Sequence, residues 1–133
     1  MLPSERTARA RCRSVCGEMH SGFSALRAAL PMNIKARFAG FKVWSRAQAD
    51  IERITALWRE CLATYGGPYL FGRLSVADAM YAPVVTRFVT YDVKLDAVCA
   101  AYANSILAWP HAAQWIADAE REPIEIDELE VEF

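Results

Sequence analysis

Apolar residues recur along the chain at steps of three and four, the period of one helix face, with polar positions between them. Val15, Met19, Phe23, Leu26 and Leu30 make the first stripe, which predicts one long helix ending before Pro31. Gly17 and Gly22 lie inside it and weaken it by about 1 kcal/mol each relative to alanine. The stretch from Met32 to Ser45 mixes Arg and Lys with Gly40, Phe38, Phe41 and Trp44, and reads as a loop laying aromatic rings on the core. A second helix starts near Ala47, carries Ile51, Ile54, Trp58, Cys61 and Tyr65, and stops at the breaker Gly66-Gly67-Pro68.

Tyr69, Leu70 and Phe71 then form a short apolar connection. Ser75-Val76-Ala77-Asp78 is the sharpest local signal: a capping box in which each side chain satisfies an amide that the helix start would orphan. The helix it opens carries Ala77, Met80, Tyr81, Val84, Val85, Phe88 and Val89, an apolar surface too wide for a half-exposed helix, so it should run through the middle of the domain. Pro83 removes one backbone bond and should bend it. Leu95, Val98, Cys99, Tyr102, Ile106 and Leu107 mark a fourth helix. Pro110 suits the first turn of a fifth, whose inward face is Ala112, Trp115, Ile116 and Ala119. From Glu120 carboxylates dominate, and like-charge repulsion outweighs a weak strand-like alternation. The pattern is therefore all-α: a five-helix bundle over residues 1–122 and a mobile acidic tail over 123–133.

Composition narrows the class without changing this picture. At 133 residues and 54% hydrophobic the chain has room for one cored domain, which excludes disorder and fibre. No apolar run approaches the roughly 18–20 residues of a membrane span, so no membrane partner is expected. The net charge of −1 hides a polarity: eleven basic against five acidic residues in 1–66, and four against eleven in 67–133. The basic excess lies along helical segments with no aromatic ladder, so no nucleic-acid partner is expected either. Cys12, Cys16, Cys61 and Cys99 sit in apolar-periodic stretches of a chain large enough to fold without staples, which fits a reducing, cytoplasmic setting. Cys12 and Cys16 would share a helix face, yet no further ligand pair completes a metal set, and buried thiols are the simpler reading. The Arg-rich opening has the look of a transit peptide, but Glu5 and the unbroken helical register argue against one.

Glu18-Met19-His20-Ser21-Gly22-Phe23, Tyr69-Leu70-Phe71-Gly72-Arg73-Leu74-Ser75-Val76-Ala77-Asp78 and Trp109-Pro110 to Trp115 together resemble the bacterial-type C-terminal domain of the glutathione S-transferase superfamily, over roughly residues 3–122. The resemblance implies an all-helical domain that lines the electrophile site and part of the dimer contact. It also implies that the thioredoxin-like domain, which supplies the glutathione site and the catalytic Ser, Tyr or Cys, is missing here. No residue of this chain is then catalytic. Glutathione would enter as co-substrate only with that domain, no cofactor would be bound by this domain alone, and the partners would be a thioredoxin-like domain or full-length transferase and a second copy in a homodimer.

By that resemblance His20, Ser21 and Phe23 on the first helix face the electrophile, with Arg87, Phe88 and Tyr91 on the opposite wall. Each has a plainer reading: His20 as a surface or packing histidine, Arg87 as the partner of Asp92 or Asp118. Ser75 and Asp78 are a structural cap, because the box explains the buried carboxylate without chemistry. Trp44, Trp58, Trp109 and Trp115 read as core packing, and His111 as exposed and idle. Two functions follow: the helical part of a glutathione transferase, inactive alone towards apolar electrophiles, or a non-catalytic assembly module of the same fold. An apolar carrier is a third, if the exposed wall stays greasy.

Overall fold

Glu5 starts the first helix, α1 (Arg6–Ser21), by accepting the Thr7 and Ala8 amides on its carboxylate oxygens at 2.8 and 2.7 Å. The structure is a computed structural model that describes residues 1–126. The last seven residues of the expected acidic tail, 127–133, lie outside the described residues. The helix ends where Gly22 donates its amide to the Glu18 carbonyl at 2.8 Å, and a Cβ at Gly22 would lie 2.6 Å from that oxygen. Phe23 then adopts left-handed backbone at φ +58°, and a separate short helix α2 (Ser24–Ala29) begins. The single long helix expected to reach Pro31 is therefore two. The hydrophobic period does not register the break, because Phe23, Leu26 and Leu30 are buried beyond it just as Val15 and Met19 are before it.

After the connector, α3 (Ser45–Tyr65) runs to Gly66, a left-handed cap at φ +84°. The connection to the next helix contains a cis Gly67–Pro68 bond and two isolated bridges, Tyr69 to Gly72 and Phe71 to Arg73. Next, α4 (Val76–Thr90) starts on its capping box, α5 (Ala97–Ala108) on Asp96, whose Oδ1 accepts the Cys99 amide at 3.0 Å, and α6 (Pro110–Arg121) on Pro110. The described residues thus form six helices and no strand, an all-helical fold one helix richer than expected. No helix among them is long and apolar enough to cross a membrane.

The centre is α4, packed between α1 and α5. Nine of its side chains are buried, as its wide apolar surface required. Asp78 is fully buried at its first turn and accepts four hydrogen bonds: Ser75 N at 2.8 Å, Ser75 Oγ at 3.3 Å, Leu70 N at 3.1 Å and the Tyr102 hydroxyl at 3.0 Å. One carboxylate so joins the cap of α4, the 69–72 connection and α5. A further link comes from the chain start, where the Met1 carbonyl accepts the Val76 amide at 2.8 Å. Trp58 from α3 fills the core against Tyr102, Phe88 and Tyr81, and its Nε1 has no hydrogen-bond partner among the described residues.

Three tryptophans depart from the core role expected of them. Trp44 is 74% exposed, Trp115 is 38% exposed, and Trp109 is half-buried. Trp44 caps α3 at the rim, outside the helical stripe. On α6 only Ala112 is buried, with Ile116 and Ala119 half-buried, so that helix lies flatter on the domain than its apolar pattern suggested. His111 is exposed as expected and meets the Trp109 ring edge-on at 5.9 Å.

Candidate functional site

Helices α1 and α4 lie side by side in the same direction: Cys12 Sγ meets Ser75 Oγ at 4.0 Å, and the Tyr81 hydroxyl donates to the Val15 carbonyl at 3.2 Å. Their C-terminal halves consequently share one end of the bundle, and the six residues expected to face a substrate gather there. They divide sharply by burial. His20 and Ser21 are exposed, and Ser21 Oγ turns back to donate to the Gly17 carbonyl at 2.9 Å. Arg87 is half-buried.

Phe23, Phe88 and Tyr91 are 7%, 2% and 0% exposed and belong to the core. Phe88 packs on Trp58, and Tyr91 packs between Phe38 and Phe41 while its hydroxyl donates to the Pro31 carbonyl at 2.9 Å. These three do not form the exposed wall expected of them. They hold its backbone in place. The reason is tertiary: the end of α4 stitches down the connector through Tyr91, through Thr90 Oγ1 donating to the Asn33 carbonyl at 2.7 Å, and through Phe38 N donating to the Thr90 carbonyl at 2.7 Å.

The part of α4 left accessible is a stripe. Ala79, Pro83 and Arg87 stand four apart on one face and are exposed or half-buried. Against the first two, α6 closes an apolar pocket of about 260 Å³ lined by Ala79, Ala82, Pro83, Trp109, His111 and Trp115. Arg87 stands one turn beyond it. Neither expected acidic partner reaches that arginine: Asp92 pairs with Lys94 at 2.7 Å, and Asp118 with Arg121. Sequence reasoning missed the pocket because it placed Trp115 inside. A visible signal was the run of small residues on α4, Ala79 and Ala82 beside Pro83, which leaves room for a neighbouring ring.

Three thiols and two phenols of the described residues are shifted away from their nucleophilic forms. All four cysteines are free thiols. Burial, assisted by Cys12, pushes the Cys16 thiol up to about 11, and burial with the Asp96 carboxylate pushes Cys99 up to about 12. Burial likewise raises Cys61, Tyr81 and Tyr102. A working thiolate or phenolate needs the opposite shift. No group of three or more His, Cys, Asp or Glu among the described residues is placed to hold a metal ion.

A family model described as the glutathione S-transferase C-terminal domain matches residues 8–118, from the first buried residue of α1 into the last turn of α6. No curated protein matches the chain. The match spans all six helices and includes the capping box, so the chain belongs to the family of glutathione S-transferase C-terminal domains.

Proposed function

We propose that this chain is the electrophile-site and dimer-contact half of a glutathione transferase, working on apolar electrophiles and inactive without a thioredoxin-like domain. The observation that carries the reading is the family match over residues 8–118. The site adds two supports. The α4 stripe and α6 offer an apolar pocket with a polar end, the kind of surface that holds a greasy reactant in one orientation. The raised thiols and phenols, in turn, leave sulfur activation to another domain. His20, Ser21 and Arg87 are the polar groups that orient the electrophile, while Phe23, Phe88 and Tyr91 support them from behind. The working unit is residues 1–122, glutathione is the co-substrate supplied through a thioredoxin-like domain, and the cytoplasm and a homodimer are the setting that fits free thiols and a family dimer contact.

A second reading, a non-catalytic assembly module, is favoured by one observation: Trp44, 74% exposed, stands at the rim with Val98 and Trp115 also open to solvent, a pattern of isolated apolar side chains that a partner would cover. Fluorescence separates the two. Titration with an aryl halide should quench Trp109 and Trp115 saturably, and Trp115→Ala should weaken the binding by about tenfold, the worth of one well-placed aromatic contact. Quenching that Trp115→Ala leaves unchanged would remove the pocket from the electrophile site.

A further inference from the structure

The two charge excesses of the chain meet at one described point. Residues 19–49 hold five Lys or Arg and no Asp or Glu, whereas residues 122–133 hold six Asp or Glu and no Lys or Arg. Lys35, on the connector between α2 and α3, joins them: its Nζ donates to the Glu122 carbonyl and lies 3.9 Å from Glu125 Oε1. The stretch so anchored lines a groove between the connector and α6, where Ile124 and Ile126 share the walls with Ile34 and Trp115. Arg37 stands at its rim. Its Nη1 donates to the Ile34 and Ala36 carbonyls at 2.7 and 2.6 Å, which holds the guanidinium against the backbone of a groove residue. Neither Arg37, Lys42 nor Arg46 meets a carboxylate among the described residues, and Asp92, which reaches the connector at Gly40, is paired with Lys94.

We propose that residues 127–133 of this same chain dock on the basic connector, continuing from the Lys35 anchor so that their four carboxylates meet Arg37 and Lys42. The patterns are complementary. Along the connector, exposed Lys35, Arg37 and Lys42 alternate with half-buried Ala36, Phe38, Phe41 and Val43. In the acidic segment Glu130 and Glu132 alternate with Leu129, Val131 and Phe133. Seven residues reach at most about 25 Å when extended, and the segment sets out from Ile126, already on the groove that Arg37 borders. Exposed ion pairs are individually weak, but a segment tethered beside its own surface meets it at an effective concentration in the millimolar range, so several weak pairs suffice. Trp115 lines both this groove and the α4–α6 pocket, so the docked segment and the pocket share one ring. The docking itself does not depend on the electrophile reading.

The test couples lysines to touching carboxylates with a zero-length carbodiimide in the full 133-residue chain, as an equal mixture of isotopically light and heavy copies, and locates the amide links by peptide mass. Links from Lys35 or Lys42 to Asp127, Glu128, Glu130 or Glu132 should form within single copies, light to light and heavy to heavy. Arg37→Gln, a change at an exposed side chain, should lower their yield about threefold, the worth of one exposed ion pair. Links confined to Glu122 and Glu125, or a yield that Arg37→Gln leaves unchanged, would overturn the docking. Links running chiefly from light to heavy copies would overturn it as well, by making the occupant the acidic segment of a second copy.

Discussion

Asp78 and Asp96 are both carboxylates at helix starts, and burial sets them apart. Asp78 has its carboxyl raised by burial despite the hydrogen bonds from Ser75, Leu70 and Tyr102 that favour the anion. Its folded pKa lies above the unfolded one, so the protonated carboxyl stabilises the fold below the unfolded value near 4, and that contribution is lost as pH rises through the folded value. Asp96 runs the other way: the Cys99 amide, then Arg59, hold it at about 2, so its contribution is present above about 4 and is lost as pH falls towards 2. Chemical denaturation of Asp78→Asn between pH 4 and 7 should therefore show a stability curve that no longer loses ground with rising pH, whereas Asp96→Ala should lose the acid-side slope and about 1 kcal/mol of cap at neutral pH. Tyr102→Phe removes one of the four donors and should cost about 1 kcal/mol, against about 3 kcal/mol or more for Asp78→Ala, which strands all four. Equal costs for the last two would show that the network is not centred on the carboxylate.

At the scale of elements, the break between α1 and α2 is made by sterics that the hydrophobic pattern cannot carry. The stripe through Phe23, Leu26 and Leu30 is continuous, and only the left-handed Phe23 and the 2.6 Å approach at Gly22 interrupt the helix. Gly17, by contrast, has nothing within 4 Å of where a Cβ would stand. Gly17→Ala should stabilise by about 0.5–1 kcal/mol, and Gly22→Ala should destabilise by about 1–3 kcal/mol, both read from urea midpoints. A stabilising Gly22→Ala would mean that the two helices prefer to be one. The α4 helix was legible in the sequence because its signals are local and agree: a capping box, an apolar surface on nearly every side and a breaker before it. The same breadth implied that Phe88 would be inside. For Tyr91 the sequence held no such warning, because its burial comes from a connector fifty residues away in sequence, folded back by the Pro31 carbonyl and the Phe38 and Phe41 rings. Arg87 could be singled out as a candidate, but its lack of an acidic partner among the described residues could not, since Asp92 and Asp118 are diverted to Lys94 and Arg121 only in three dimensions.

Across the whole molecule, α4 presents an apolar pocket with α6 and an accessible stripe that runs on to Arg87, while burial raises the thiols of Cys16, Cys61 and Cys99 and the phenols of Tyr81 and Tyr102 away from their reactive forms. That separation of grip from activation is the central claim. The most direct measurement is the rate at which the 133-residue chain conjugates glutathione to an aryl halide, alone and then joined to a thioredoxin-like domain. The chain alone should react no faster than buffer, and the joined domain should bring a rise that falls when Arg87→Gln or Trp115→Ala is introduced. Conjugation above buffer by the isolated chain would contradict it.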